Sequence, residues 1–428
     1  MIRMIAKCML VVLLIFGLSP SGPAVGAEVK LISDIPLSDR LHELTLESPA
    51  LGKDTSLQIL LPSGYEESDE TYPVLYLLHG CCGDYKAWTA RTDVEQVTED
   101  LPMIVVMPDA GRGASYSDWY NQGAYGPPKW EEYHLKELIP FIEHHYRAKG
   151  TRDGRAVAGL SMGGFGAMSY AARHPDLFAA AASFSGVLDT NLDPDFLEKT
   201  IFQDQEKVPP GTVWGNRETH EIIWRSHNPW DLAENLEDVD LAIHTGNGEA
   251  GGPLDEGLES PVERTCFAMS TSLHDRLDEL KIPHIWDSYG PGSHTWGYWQ
   301  RDLHQTLPRL MDIFNNPKPA PIPFSYKSAE DSFTIYEWQV AFQREEMAFA
   351  KLSNVSPKGF ELIGSGKASI TTAPWFKPGA RHKVKISGAK GKKVIQAFAD
   401  KNGRLHLELN FSSRKAGDQL SVRIEPKK

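Results

Sequence analysis

The chain has 428 residues, 41% of them hydrophobic and 10% aromatic, which is material for one large core and a second, smaller one. Lys and Arg number 44 against 57 Asp and Glu, a net charge of -13 at pH 7. No basic block interrupts that excess, so nucleic acid and anionic membrane surfaces are excluded as expected partners.

The first expected element is a cleavable signal peptide over residues 1–27. Arg3 and Lys7 form a positive start, residues 8–18 an apolar run, and Val25-Gly26-Ala27 a small-residue cleavage site. That run is too short to span a bilayer and no later segment is longer, so the expectation is a secreted or periplasmic protein without stable membrane insertion. The mature chain would keep Cys81, Cys82 and Cys266, an odd number without metal-ligand spacing; no metal and no cofactor are expected.

From Glu28 the pattern is α/β. Alternation at residues 42–46 and 56–60 predicts an antiparallel edge pair. Residues 73–78, 102–107, 156–160 and 178–184 are then apolar without alternation, as strands buried on both faces of a mostly parallel sheet are. Helical stretches at 130–145 and 163–173 fall between them. Periodicity fails from Ser185 to Asp240, where Pro, Trp and charge are mixed, and this segment is read as a lid-like insertion.

Three constellations carry chemistry. Gly159-Leu160-Ser161-Met162-Gly163 stands between a buried strand and a helix, the setting of a nucleophile elbow. Glycine two positions either side of Ser161 lets the turn close, lifting the hydroxyl above the sheet and aiming the Met162 amide at an oxyanion. Leu78-His79-Gly80-Cys81-Cys82-Gly83 ends the strand at 73–78, where such a fold places its second oxyanion amide. By position that donor is Cys81, with Cys82 the neighbouring possibility; the amide acts, not the thiol. Finally, Gly290-Pro291-Gly292-Ser293-His294 follows a strand at 282–289, and of fifteen histidines only His294 sits on a loop downstream of both the serine and any acid. The acid stays open between Glu249, Glu263 and Asp255.

Ser117-Asp118-Trp119-Tyr120, Lys129-Trp130-Glu131, Gly159-Leu160-Ser161-Met162, His174-Pro175, Gly246-Asn247-Gly248 and residues 293–299 together resemble the esterase branch of α/β-hydrolases that contains feruloyl esterases, S-formylglutathione hydrolases and secreted mycolyltransferases. The likeness runs from about residue 41 to 314. It implies an α/β-hydrolase fold and favours Glu263, 31 residues ahead of His294, as the acid, with Glu249 the alternative. Trp119 and Trp296 lie in matched segments and His79 in the loop that follows the strand at 73–78; all three are candidates for substrate contact. The mycolyltransferase pattern has an aspartate where His79 stands and an arginine where this chain has Cys-Cys-Gly, which separates it from trehalose recognition and mycolyl transfer.

After a catalytic domain over 28–315, the Pro-rich residues 316–325 read as an extended linker with few contacts across it. Residues 326–428 alternate in short runs between Gly and Asn turns, predicting a small all-β, immunoglobulin-like sandwich. Trp338, Trp375 and Phe376 belong either to its core or to a sugar-stacking face. The expected function is a serine carboxylesterase acting through an acyl-enzyme on Ser161, with a small-molecule or polysaccharide-linked ester as substrate. Acyl transfer to a sugar or lipid hydroxyl and a non-catalytic surface-binding role are the alternatives.

Overall fold

Nine strands form one sheet in the computed structural model, which describes residues 28–113, 115–255, 257–413 and 417–426. The predicted signal peptide lies outside these residues. The strands are β1 (Lys30–Pro36), β2 (Leu41–Ser48), β3 (Lys53–Leu60), β4 (Val74–Leu78), β5 (Ile104–Pro108), β6 (Arg155–Leu160), β7 (Ala180–Phe184), β8 (Asp240–Thr245) and β9 (His284–Ser288). Their spatial order is β1-β2-β3-β5-β4-β6-β7-β8-β9; β1 to β3 and the β3–β5 pair are antiparallel, and every pair from β5 to β9 is parallel. The expected edge pair is therefore β2–β3, with the exposed strand β1 added outside it.

Burial on two faces explains the uninterrupted apolar runs. In β4, Val74, Tyr76 and Leu78 pack into one apolar cluster while Leu75 and Leu77 pack into another on the opposite side. Helices cover both faces: α1 (Met162–Arg173) follows β6, α2 (Pro261–Leu280) follows β8 and α3 (Trp296–Asn315) follows β9. The stretch at 130–145 is helical as expected, but widens into a π-helical segment at Tyr133–Leu138. The insertion before β8 folds down instead of looping out. It contributes Leu197, Ile201, Phe202, Trp214 and Trp224, all buried, to the larger core.

Ten strands between Phe324 and Pro426 form two antiparallel sheets, of six and four strands. One apolar cluster joins them, with Trp338, Val340 and Ile370 from the smaller sheet against Leu352, Leu362 and Val422 from the larger. Trp338 and Phe376 are buried in that core, which removes them from any sugar-stacking face.

The expectation of few contacts across the linker is not met. Tyr326 donates to the Arg173 carbonyl at 2.6 Å, Arg173 pairs with Glu330 at 3.2 Å, and Asn235 exchanges two 2.8 Å hydrogen bonds with the Lys327 backbone. Composition reported the extended linker but not the polar edge, beginning at Phe324, that docks beyond it. Among the described residues, no helix is long and apolar enough to cross a membrane.

Candidate active site

Ser161 occupies a backbone conformation that side-chain-bearing residues rarely adopt, with φ 52° and ψ −116°, between β6 and α1. The surroundings hold it there. A Cβ on Gly159 would sit 2.5 Å from the Gly163 carbonyl oxygen, and one on Gly163 would sit 2.5 Å from that of Leu78, so neither position admits alanine. The Ser161 amide donates to the Phe184 carbonyl of the neighbouring strand at 2.8 Å, which ties the strained turn to the sheet.

His294, on the loop before α3, brings Nε2 to 2.9 Å from Ser161 Oγ and Nδ1 to 2.6 Å from Glu263 Oε2. Glu263 is fully buried. Its other oxygen accepts three hydrogen bonds, from Ser185 Oγ at 2.8 Å, Thr245 Oγ1 at 3.0 Å and the Gly246 amide at 2.8 Å. A buried carboxylate held by three donors cannot rotate. It therefore keeps the imidazole proton on Nδ1 and leaves Nε2 free to take one from Ser161. Ser260 caps α2, accepting from the Glu263 amide at 3.3 Å, and Pro261 occupies the first helical turn. Ser260-Pro261-Val262-Glu263 is thus the spelling of a capping box whose Glu has turned away to the histidine. Glu249 is exposed and accepts from Asn247 at 2.8 Å instead.

Cys81 and Met162 line one pocket together with Ser161. The Met162 amide opens α1 and has no acceptor within its own helix. A Cβ on Gly80 would meet the Ser161 Cβ at 3.2 Å, so the loop carrying Cys81 passes directly over the serine. That loop is pinned from the insertion, where Glu206 Oε1 accepts from the Cys82 amide at 2.7 Å.

The three substrate-contact candidates separate. Trp296 lines an open cleft of about 570 Å³ together with Ser161, His294, Trp299, Arg91 and the 80–87 loop. His79 does not face it: the ring is buried, Nδ1 donates to the Gly80 carbonyl at 2.8 Å, and Nε2 accepts from the Ala110 amide at 3.1 Å. With both nitrogens engaged, the ring braces the loop and has no atom left for a substrate. Trp119 lines a different cleft, of about 920 Å³, between the hydrolase domain and the sandwich. Ser161 starts α1 and Arg173 in that second cleft ends it, roughly 18 Å apart along the helix. A third space, narrow and apolar, opens behind the serine. It measures about 20 Å³ and is walled by Met162, Phe165, Val187, Phe202, Trp214 and Cys266, without His294.

Sequence reasoning did not reach Ser185, Thr245 or Gly246, the cradle of Glu263, nor Glu206. The capping-box spelling at 260–263 was a usable signal for Glu263; nothing local marks the others.

Comparison with known proteins gives concordant findings. The profile of the Esterase family, described as "putative esterase", matches residues 48–310. Esterase Rv1288 of Mycobacterium tuberculosis is 31% identical over 301 residues, covering 68% of this chain and 63% of the relative, so the chain spans less than two thirds of that protein's length. Diacylglycerol acyltransferase/mycolyltransferase Ag85B of Mycolicibacterium smegmatis is 28% identical over 288 residues, 63% of this chain and 84% of the relative. Among solved structures, Mycobacterium tuberculosis MPT51 superposes with a TM-score of 0.53 at 21% identity, over 62% of this chain and 96% of that one, a likeness of fold.

Proposed function

This chain belongs to the Esterase family, and from that premise we propose that it is an exported serine esterase that hydrolyses carboxylic esters through an acyl-enzyme on Ser161. The observation that carries this reading is the chain of two short contacts, Ser161 to His294 at 2.9 Å and His294 to Glu263 at 2.6 Å. Ser161 Oγ attacks the ester carbonyl carbon while His294 Nε2 takes its proton. The charge that develops on the carbonyl oxygen is received by the Cys81 and Met162 amides, and the imidazolium is stabilised by Glu263. Collapse expels the alcohol, which leaves with the proton from Nε2. Water then repeats the sequence on the acyl-enzyme, again with His294 as base. The leader-like residues 1–27 support export, and the two-sheet domain is read as an immunoglobulin-like accessory module.

The proton path also assigns the two sides of the substrate. The leaving alcohol must meet His294 Nε2, so it occupies the 570 Å³ cleft, which contains His294 and Trp296. The acyl group points away from His294 into the 20 Å³ apolar pocket under Phe202 and Trp214. That pocket admits about one water-sized group. The substrate class is therefore a short acyl chain on a bulky alcohol. Long-chain transfer is the second reading; it requires the insertion carrying Phe196 to Phe202 to move aside.

A series of p-nitrophenyl esters from acetate to octanoate tests this. We expect kcat/KM to be highest for acetate and to fall at least about tenfold by butyrate, as an overfilled pocket costs on the order of 1–3 kcal/mol. Preference for octanoate, or ester products in place of free acid when an alcohol is added, would favour the transferase reading.

A further inference from the structure

We propose that Cys81, Cys82 and Glu206 form a binding site for a thiophilic divalent cation such as Zn2+, and that its occupation closes the cleft to substrate. The site stands on its own geometry; only the consequence for turnover rests on the esterase reading.

The two sulfurs lie 2.8 Å apart, and a Glu206 oxygen completes a set whose ligand atoms all fall within 4.8 Å of one another. Glu206 is itself 2% exposed. Its Oε1 accepts from the Cys82 amide, but Oε2 is buried without a hydrogen-bond partner. Buried carboxylate oxygens are ordinarily hydrogen-bonded, so one that is not, on a carboxylate beside two thiols, points to a missing cation. The Arg112 guanidinium stands 3.6 Å from Oε2 and donates to the Gln205 carbonyl at 3.4 Å, on a side chain that is 71% exposed and that an incoming cation would displace.

Ligand type selects the occupant. Two thiols with one carboxylate suit Zn2+ and its softer neighbours and disfavour Mg2+ and Ca2+, which take oxygen ligands. At a Zn–S bond of about 2.3 Å, a tetrahedral pair of sulfurs stands about 3.8 Å apart. The thiols must therefore spread by about 1 Å from their present separation, which the exposed Cys82 side chain can provide by rotation. Binding takes one Zn2+, two neutral thiols and one carboxylate to a complex of net charge −1, releasing two protons to solvent. Three protein ligands leave a fourth position for water.

The position makes occupation consequential. Cys81 and Cys82 line the same cleft as Ser161 and His294, and Cys81 also walls the apolar pocket. Drawing both sulfurs toward Glu206 shifts the loop whose Cys81 amide receives the oxyanion. Spacing in the sequence could not reveal this site, because Glu206 stands 124 residues beyond Cys82.

The test uses the full chain, its Cys82→Ser and Glu206→Gln variants, and two readouts. Co2+ alone is titrated in, with the near-ultraviolet thiolate-to-cobalt charge-transfer band followed and then displaced by Zn2+. We expect a two-thiolate band in the wild type, a one-thiolate band in Cys82→Ser, and apparent affinity weakened at least about tenfold in Glu206→Gln, which keeps the Oε1 acceptor for the loop. Hydrolysis of p-nitrophenyl acetate should be lost at saturating Zn2+, return on adding EDTA, and need at least about tenfold more Zn2+ for inhibition in Cys82→Ser. No band at millimolar Co2+, or an unchanged band in Cys82→Ser, overturns the site. A band with undiminished hydrolysis at saturating Zn2+ overturns the closure. If the protein hydrolyses no ester, the cobalt band still decides the site, so its failure and that of the esterase reading are distinguishable.

Discussion

Replacing Glu263 by Gln changes one atom, and the geometry says which way the amide must lie. Three donors converge on Oε1, and one of them, the Gly246 amide, cannot turn away. Placing the Gln NH2 group there would set donor against donor, at about 1–3 kcal/mol for the buried group left unpaired. The amide oxygen therefore keeps the three donors and the NH2 faces His294 Nδ1. Nδ1 must then accept, the ring proton moves to Nε2, and Nε2 can no longer take the Ser161 proton. A wrong tautomer of this kind costs on the order of 10⁴ in kcat, or about 5.5 kcal/mol. The fold should be little changed, because the three bonds to the amide oxygen persist. Steady-state hydrolysis of p-nitrophenyl acetate and a thermal melt, run on Glu263→Gln and Glu249→Gln together, measure both quantities. Glu249 is exposed and bonded to Asn247, so its variant should keep turnover within about threefold, as for a surface change. A Glu263→Gln enzyme within tenfold of wild type, or a crippled Glu249→Gln, would refute the reasoning.

Two further outcomes are expected. A chain ending at Asn316 loses Glu330 and Tyr326, partners of Arg173, so it should melt at lower temperature while still hydrolysing small esters, since Ser161 lies at the far end of α1; an inactive but folded product would make the sandwich part of the catalytic unit. His134 is buried between Tyr170 and the Asp109 carbonyl, and burial pushes its imidazole down to about 4. The unfolded chain binds that proton near pH 6.5 and the folded one does not, so the contribution is present above pH 6.5 and is lost as pH falls towards 4. Over that window wild type should lose about 3 kcal/mol more stability than His134→Gln, read by denaturant unfolding at successive pH values; parallel curves would contradict it.

The parts legible in the sequence are those that local chemistry dictates. Continuous apolar runs predicted the buried parallel strands because each strand must fill two faces, as Val74 and Leu75 do on opposite sides of the sheet. The glycines around Ser161 predicted the elbow because no larger residue fits. Choosing Glu263 over Glu249 needed the family resemblance, since what distinguishes the two is burial, and burial is made by Ser185 and Thr245 from distant strand ends. His79 was read as a substrate contact because it sits in the right loop; whether its ring turns outward or back toward Ala110 depends on a strand partner that spacing does not report. Trp119 was misplaced for the same reason, being drawn toward a cleft that exists only once the sandwich docks. The docking itself rests on side chains such as Arg173 and Glu330, 157 residues apart, and no composition shift marks such a pair.

The claim on which the rest depends is that Ser161 is the nucleophile, and covalent labelling tests it most directly. The protein is treated with a serine-directed fluorophosphonate, digested and mapped by mass spectrometry, with Ser161→Ala in parallel. The account predicts a single adduct, on Ser161, appearing as ester hydrolysis disappears, and neither adduct nor turnover in Ser161→Ala. An adduct on another residue, or ester turnover that persists in Ser161→Ala, would contradict it.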